Sequence, residues 1–181
     1  MNILLFGVSN VGKTTIGKIM AEKLGYSFYD LDDEVKKYYG YKNLNAFLRD
    51  NAFLSDRDQK RGYVVELLLK QPDNKVIAVA PIYYTRYYTI GIKRAVSEVK
   101  RVEIQDRPEN IFERLVFADE DDIIYKDDEY KNRHKAAYIK QIKADISGYK
   151  AAFSKIEYKI DIAGKDANEA ADYIISQLEI K

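Results

Sequence analysis

The sequence contains no cysteine and no tryptophan, one histidine, and three prolines among its 181 residues. Without cysteine, the chain can form neither disulfides nor thiolate metal sites. A lone histidine, His134, excludes a histidine-rich metal centre. An excess of charge of either sign is also missing, because 30 basic residues face 29 acidic ones. The composition therefore gives no general reason to expect a nucleic acid or an acidic membrane as partner.

Long hydrophobic runs are missing as well, and no leader pattern precedes the first apolar segment, which begins at residue 2. We therefore expect a soluble, cytoplasmic protein. A length of 181 residues with 46% hydrophobic residues suits one compact domain over 1–181. We expect this domain to be a monomer or a weak dimer that acts on a small molecule.

One stretch carries a specific chemical signal. Residues 7–14 read Gly-Val-Ser-Asn-Val-Gly-Lys-Thr, which fits the phosphate-binding P-loop pattern G-x-x-x-x-G-K-[ST]. An apolar segment precedes it and a helical apolar pattern follows, which predicts the strand, loop and helix that such a site needs. Backbone N–H groups of the loop and the helix N-terminus favour negative charge there. Lys13 would reach the β- and γ-phosphates of ATP, and the Thr14 hydroxyl would ligate Mg²⁺. Nucleotide binding is assigned to Gly7, Ser9, Asn10, Val11, Gly12, Lys13, Thr14 and Thr15.

Strand and helix patterns alternate along the rest of the chain. This alternation predicts an α/β fold with a five-stranded parallel sheet and helices on both faces. Ligands of such sheets bind beyond the carboxyl ends of the strands. The acidic stretch 118–132 is interpreted as a mobile flap. Further strands are expected at 26–30, 76–80, 99–104 and 158–162. Helices are expected at 43–51, 55–70, 83–97, 108–116 and 166–178. One more long helix is expected to follow the acidic stretch and to reach about residue 153.

Two carboxylates follow the second predicted strand, in Phe28-Tyr29-Asp30-Leu31-Asp32. Asp30 could hold Mg²⁺ through water, and Asp32 could take the proton from an attacking hydroxyl. The alternative is a pair of acids that cap a helix. Arg114, before the flap, could contact the adenine or the phosphates of ATP, or could be an ordinary surface arginine.

These features resemble the shikimate kinase family, through Lys13-Thr14-Thr15, the Phe-x-Asp-x-Asp of residues 28–32 and the Ile-x-x-Arg ending at Arg114. The resemblance extends over nearly the whole chain. It implies a P-loop kinase core, a helical acceptor-binding segment at about 32–62, and a lid at about 116–135. It also implies transfer of the γ-phosphoryl group of ATP to a hydroxyl of shikimate, with Lys13 and Asp32 as catalytic residues and Asp30 near magnesium. The family's carboxylate-binding arginine is best matched by Arg57, and Arg61 competes with it.

The acceptor half departs from the family pattern. Asn10 replaces a third P-loop glycine, which asparagine permits because it tolerates left-handed backbone. Ala80-Pro81-Ile82 replaces three glycines, and Asp145 stands where a second carboxylate-binding arginine is expected. The lid has no Arg-Pro pair, and Arg133 is the nearest candidate for a lid arginine. Since an anionic acceptor needs a cationic clamp, these changes argue against shikimate itself.

Two alternatives therefore stay open. A nucleoside or nucleoside monophosphate kinase would use Arg57, Arg61 and Arg86 toward the acceptor, with tyrosines that stack on a ring. A nucleotide-binding protein without small-molecule kinase activity is the other. The tyrosines in question, which could equally be half-buried helix residues, are Tyr38, Tyr39, Tyr41, Tyr83, Tyr84, Tyr87 and Tyr88.

Overall fold

A computed structural model describes residues 1–96 and 98–180 of the chain. At its centre, five parallel strands form one sheet, in the spatial order 27–30, 75–78, 2–6, 99–105 and 158–161. A separate antiparallel hairpin lies in the predicted flap. In chain order, the strands are β1 (Asn2–Phe6), β2 (Ser27–Asp30), β3 (Lys75–Ala78), β4 (Val99–Gln105), β5 (Phe117–Ala118), β6 (Ile124–Tyr125) and β7 (Tyr158–Asp161).

Helices cover both faces of the sheet, as the sequence predicts. Along β1, Ile3 and Leu5 belong to one apolar core, and Leu4 and Phe6 belong to the other. A strand buried on both faces accounts for the unbroken apolar run before the P-loop. No helix within the described ranges is both long and apolar enough to cross a bilayer. The helices are α1 (Lys13–Leu24), α2 (Leu31–Tyr39), α3 (Leu44–Asp50), α4 (Leu54–Leu69), α5 (Arg86–Ala95), α6 (Pro108–Glu113), α7 (Asp128–Arg133), α8 (Lys135–Tyr149) and α9 (Ala167–Gln177).

Some element boundaries differ from the prediction. The helix expected over 83–97 begins only at Arg86, because the buried Asp58 carboxylate accepts a 3.0 Å hydrogen bond from the Tyr84 N–H and holds that segment in another conformation. The helix after Pro108 ends at Glu113, so that Leu115 and Val116 lie outside it. The helix expected to reach about residue 153 ends at 149.

The predicted flap has regular structure of its own. It contains the hairpin β5–β6 and the helix α7. The Asp119 carboxylate accepts hydrogen bonds of 2.9 Å each from the N–H groups of Asp121 and Ile123, which shapes the hairpin turn. Asp122 adopts a left-handed φ of 63° at this turn. The sequence interpretation as a plain flap missed this because short acidic stretches carry little periodicity.

Helices α4 and α5 approach closely at two glycines. A Cβ atom on Gly62 would lie 2.7 Å from the Tyr87 carbonyl oxygen, and one on Gly91 would lie 2.7 Å from the Gly62 carbonyl oxygen. Both obstacles are backbone atoms, which cannot rotate away. The packing of α4, which carries Arg57 and Arg61, therefore requires residues without a side chain at positions 62 and 91.

Replacing Gly62 with alanine should lower the free energy of unfolding by about 1–3 kcal/mol, because the added methyl overpacks a backbone contact. The matched control is Gly148→Ala in α8, where the nearest atom to an added Cβ is the Tyr83 hydroxyl at 3.7 Å. There the change should raise stability by about 0.5–1 kcal/mol through helix propensity. Urea unfolding of both variants measures the difference, and equal stabilities would contradict the close packing.

Candidate active site

The P-loop, residues 7–14, turns sharply at three positions with positive φ, namely Gly7 at 143°, Asn10 at 61° and Gly12 at 112°. The value at Asn10 lies in the left-handed region, which asparagine adopts more readily than most residues. The Asn10 replacement is therefore compatible with the loop conformation. Gly7 has a second constraint, since a Cβ atom there would lie 2.8 Å from the Ile104 carbonyl oxygen of β4.

The loop offers donors suited to a polyphosphate. At the start of α1, the backbone N–H groups of Gly12, Lys13, Thr14 and Thr15 have no acceptor within the described residues. The Lys13 ammonium donates to the carbonyl oxygens of Gly7 and Val8, at 2.9 Å each. Burial lowers the pKa of Lys13 to about 8, while the nearby Asp32 and Asp30 carboxylates act to raise it. Unsatisfied N–H groups around a half-buried ammonium fit a phosphate chain.

Asp30 caps α2 and also contacts Thr14. Its Oδ1 accepts a 3.1 Å hydrogen bond from the Asp32 N–H and caps α2. Its Oδ2 accepts a 2.7 Å hydrogen bond from the Thr14 hydroxyl. Burial raises the pKa of the Asp30 carboxyl, and the bond from Thr14 opposes that shift. Among residues 1–96 and 98–180, no three acidic or histidine side chains converge as a metal cluster. A hydroxyl paired with one carboxylate still fits Mg²⁺, which takes its other ligands from water and phosphates.

Asp32 and Arg61 form a half-buried ion pair. Arg61 Nε and Nη2 donate to Asp32 Oδ1 at 3.2 and 2.9 Å, and the guanidinium lies 5.5 Å from the centre of the Phe47 ring. The side chains are 9% exposed for Arg61 and 27% exposed for Asp32. In the described part of the chain, Asp32 Oδ2 has no hydrogen-bond partner. That oxygen can accept a hydrogen bond from a ligand.

The other two candidate acceptor arginines lie elsewhere. Arg57 donates through Nε to the Asn51 carbonyl oxygen at 2.5 Å and through Nη2 to the Leu48 carbonyl oxygen at 2.6 Å. Arg86 lies at the start of α5 over the rings of Tyr84 and Tyr87. It lines a cavity of about 740 Å³ that contains neither Asp32 nor Arg61 in its wall. Of the three arginines, the structure brings only Arg61 against Asp32.

Arg114 is tied to a carboxylate that the sequence interpretation overlooked. It donates to Asp106 Oδ2. Asp106 Oδ1 accepts from Arg107 N–H at 2.8 Å, from Asn110 Nδ2 at 2.6 Å and from Gly164 N–H at 3.1 Å. Burial would raise the pKa of Asp106, but these hydrogen bonds outweigh it and hold the pKa below its usual value. An acid directly after a buried strand was the available signal. Asp106 thus joins α6 to the segment after β7 and orients Arg114.

The turn of the β5–β6 hairpin, in the predicted flap or lid, contacts the helical segment after β2. Asp122 accepts hydrogen bonds from Lys36 Nζ at 2.7 Å and from the Leu44 N–H at 2.8 Å. Arg133, the candidate lid arginine, is exposed and pairs with Glu129. Lys131 is the buried lid cation, and its ammonium lies 5.3 Å from the centre of the Phe112 ring.

The tyrosines do not form one acceptor surface. Tyr88 is buried and donates to the Ala80 carbonyl oxygen at 3.1 Å. Tyr83 stacks on Tyr149 at 4.6 Å, and Tyr38 meets Tyr39 edge to face. Burial, the neighbouring Tyr83 and the carboxylates of Asp145 and Asp58 raise the pKa of Tyr149.

Comparison with known proteins decides the family. The family model described as shikimate kinase matches residues 9–179. The chain belongs to the shikimate kinase family. This match confirms the predicted resemblance to shikimate kinases. It also confirms the predicted α/β P-loop kinase fold and the class of ATP-dependent small-molecule kinase. Members of the family use ATP, generally with Mg²⁺.

Individual relatives agree over the full length. A shikimate kinase from Persephonella marina is 28% identical over 178 residues, covering 98% of both chains. The structure of a shikimate kinase from Bacteroides thetaiotaomicron superposes with a TM-score of 0.78 at 19% identity, covering 99% of both chains. A shikimate kinase from Acinetobacter baumannii, in complex with shikimate, superposes with a TM-score of 0.70 at 17% identity, covering 99% of this chain and 95% of that one. At these identities the structural matches establish the fold.

Proposed function

We propose that this family member transfers the γ-phosphoryl group of Mg²⁺-bound ATP to a hydroxyl of a small ring acceptor held at Asp32, with shikimate as the first candidate. The observation that carries the proposal is the division between the two acids after β2. Asp30 faces the Thr14 hydroxyl, and Asp32 faces Arg61. This division supports a metal role for Asp30 and an acceptor role for Asp32.

On the nucleotide side, the free N–H groups at 12–15 would hold the phosphates. The Lys13 ammonium would exchange the carbonyl oxygens of Gly7 and Val8 for phosphate oxygens. Thr14 and Asp30 would hold Mg²⁺, whose positive charge offsets the charge of the phosphates. Arg114 and Asp106 would form the wall on the adenine side.

On the acceptor side, Asp32 Oδ2 would receive the proton of the attacking hydroxyl. The acceptor oxygen would bond to the γ-phosphorus while the bond from that phosphorus to the bridging oxygen breaks, and ADP leaves. Arg61 would keep Asp32 oriented, because its Nε and Nη2 atoms both donate to Asp32 Oδ1 and leave Oδ2 toward the acceptor.

The charge requirement of the acceptor is a separate question. The solved relative from Acinetobacter baumannii binds shikimate, a carboxylate. In this chain Arg57 already donates to two carbonyl oxygens, and Asp145, an acid, lies one turn before Tyr149 on α8. This arrangement favours an acceptor with ring hydroxyls, and it weakens the site's requirement that the acceptor carry a carboxylate.

The test is ADP release from Mg-ATP with shikimate and with shikimate methyl ester, which keeps the hydroxyls and loses the charge. We expect turnover of both, with kcat/KM values within about tenfold of each other. A single solvent-exposed ion pair between the shikimate carboxylate and the protein would contribute about 1 kcal/mol or less. A much larger preference for the acid would show an intact carboxylate clamp. Turnover only with nucleosides or nucleoside monophosphates, or with no acceptor, would contradict the proposal.

A further inference from the structure

The contact between the lid and the acceptor segment depends on one carboxylate. Asp122 binds both the Lys36 ammonium and the Leu44 N–H, across a separation of 86 and 78 residues. The side chains of Asp122 and Lys36 are 23% and 19% exposed. The neighbouring pair, Asp121 with Lys42, is 54% and 79% exposed, so it is far more open to water. Half-buried, charge-assisted bonds contribute more than exposed pairs.

Leu44 is the first residue of α3, and α3 contacts both Arg57 and Arg61 of α4. Its buried Phe47 lies under the guanidinium of Arg61. Its Leu48 carbonyl oxygen, with that of Asn51, accepts from Arg57. A lid carboxylate that holds Leu44 therefore holds the start of the helix on which the orientation of Arg61, and through it Asp32, depends.

We propose that Asp122 is a positioning residue that couples the seated lid to the acceptor site, through Lys36 and the N-terminal residue of α3. When Asp122 is in place, α3 presents Phe47 beneath Arg61 and the Asp32–Arg61 pair keeps its geometry. Without the carboxylate, the lid loses its bonds to α2 and α3 and the acceptor site loosens. The kinetic consequence rests on the proposed function, whereas the structural link does not.

The pKa of the Asp122 carboxyl agrees with this positioning role. Burial would raise the pKa of Asp122, but the bonds from Lys36 and from the Leu44 N–H hold it below its usual value. The carboxylate is therefore charged near neutral pH in the seated lid. The Lys36 ammonium has one further partner, Asp33 at 3.0 Å, whose side chain is 70% exposed.

The experiment compares Asp122→Asn with Asp121→Asn in the full chain. Asparagine suits the left-handed φ of 63° at residue 122, so the change removes charge rather than backbone freedom. For Asp122→Asn we expect the acceptor KM to rise about tenfold, with KM for ATP changed less than about threefold. For Asp121→Asn we expect changes below about twofold.

Hydrogen exchange at the Leu44 amide, with Mg²⁺ and a non-hydrolysable ATP analogue, provides the second readout. It should accelerate about tenfold in Asp122→Asn and remain unchanged in Asp121→Asn. This readout needs no turnover, so a chain that fails to phosphorylate shikimate still tests the link. Unchanged exchange at Leu44, or equal effects of the two variants on acceptor KM, would overturn the proposal.

Discussion

Replacing Lys13 with alanine is expected to lower the rate of phosphoryl transfer by at least about a hundredfold, because it removes a preorganised positive charge from the site where phosphate charge develops. The ammonium already lies inside the loop, 2.9 Å from the Gly7 and Val8 carbonyl oxygens. Few other contacts of the loop depend on it, so the fold should persist. Nucleotide binding, measured by calorimetry, should weaken in parallel.

Lys18→Ala is the matched control for this experiment. Lys18 lies on the same helix, is exposed, and has its ammonium 5.8 Å from the centre of the Phe28 ring. Its removal should leave transfer and ATP affinity within about twofold, as for most surface substitutions. Unchanged ATP affinity and activity in Lys13→Ala would contradict the P-loop assignment itself.

Replacing Asp32 with asparagine should lower kcat by about 10²–10⁴-fold, the usual contribution of a general base. Asparagine retains an oxygen that can accept from Arg61, so the buried guanidinium keeps a partner. ATP binding should be retained, because the contacts of Lys13 and Thr14 involve other groups. A loss of transfer with intact ATP affinity separates the acceptor role of Asp32 from a structural one.

Asp33→Asn serves as the control for Asp32. The Asp33 side chain follows directly in α2, is 70% exposed, and pairs with Lys36 at 3.0 Å. Its loss should cost less than about 1 kcal/mol of stability and little activity. Full activity in Asp32→Asn would reduce Asp32 to an ion-pair partner of Arg61, and thermal unfolding of each variant shows whether the fold remains intact.

Local patterns in the sequence determined the fold class and the family, and they predict the nucleotide half of the site. The P-loop motif is contiguous, and its geometry follows from glycines, an asparagine with left-handed backbone, and a helix start. The alternation of apolar strands and amphipathic helices likewise predicts the parallel sheet, because each element bears its own period. Such features need no knowledge of distant residues. The helix start near 83 was missed because a tertiary hydrogen bond holds the segment before Arg86.

Only the tertiary structure decided which groups meet on the acceptor side. Arg57 and Arg61 lie one turn apart on the same face of α4, so periodicity cannot choose between them. Packing chooses, since α3 places the Phe47 ring under Arg61 and carbonyl oxygens against Arg57. Asp106 with Gly164, and Asp122 with Lys36, meet across 58 and 86 residues. Such pairs depend on how whole elements pack, and single charged residues leave no periodic trace of that packing in the sequence.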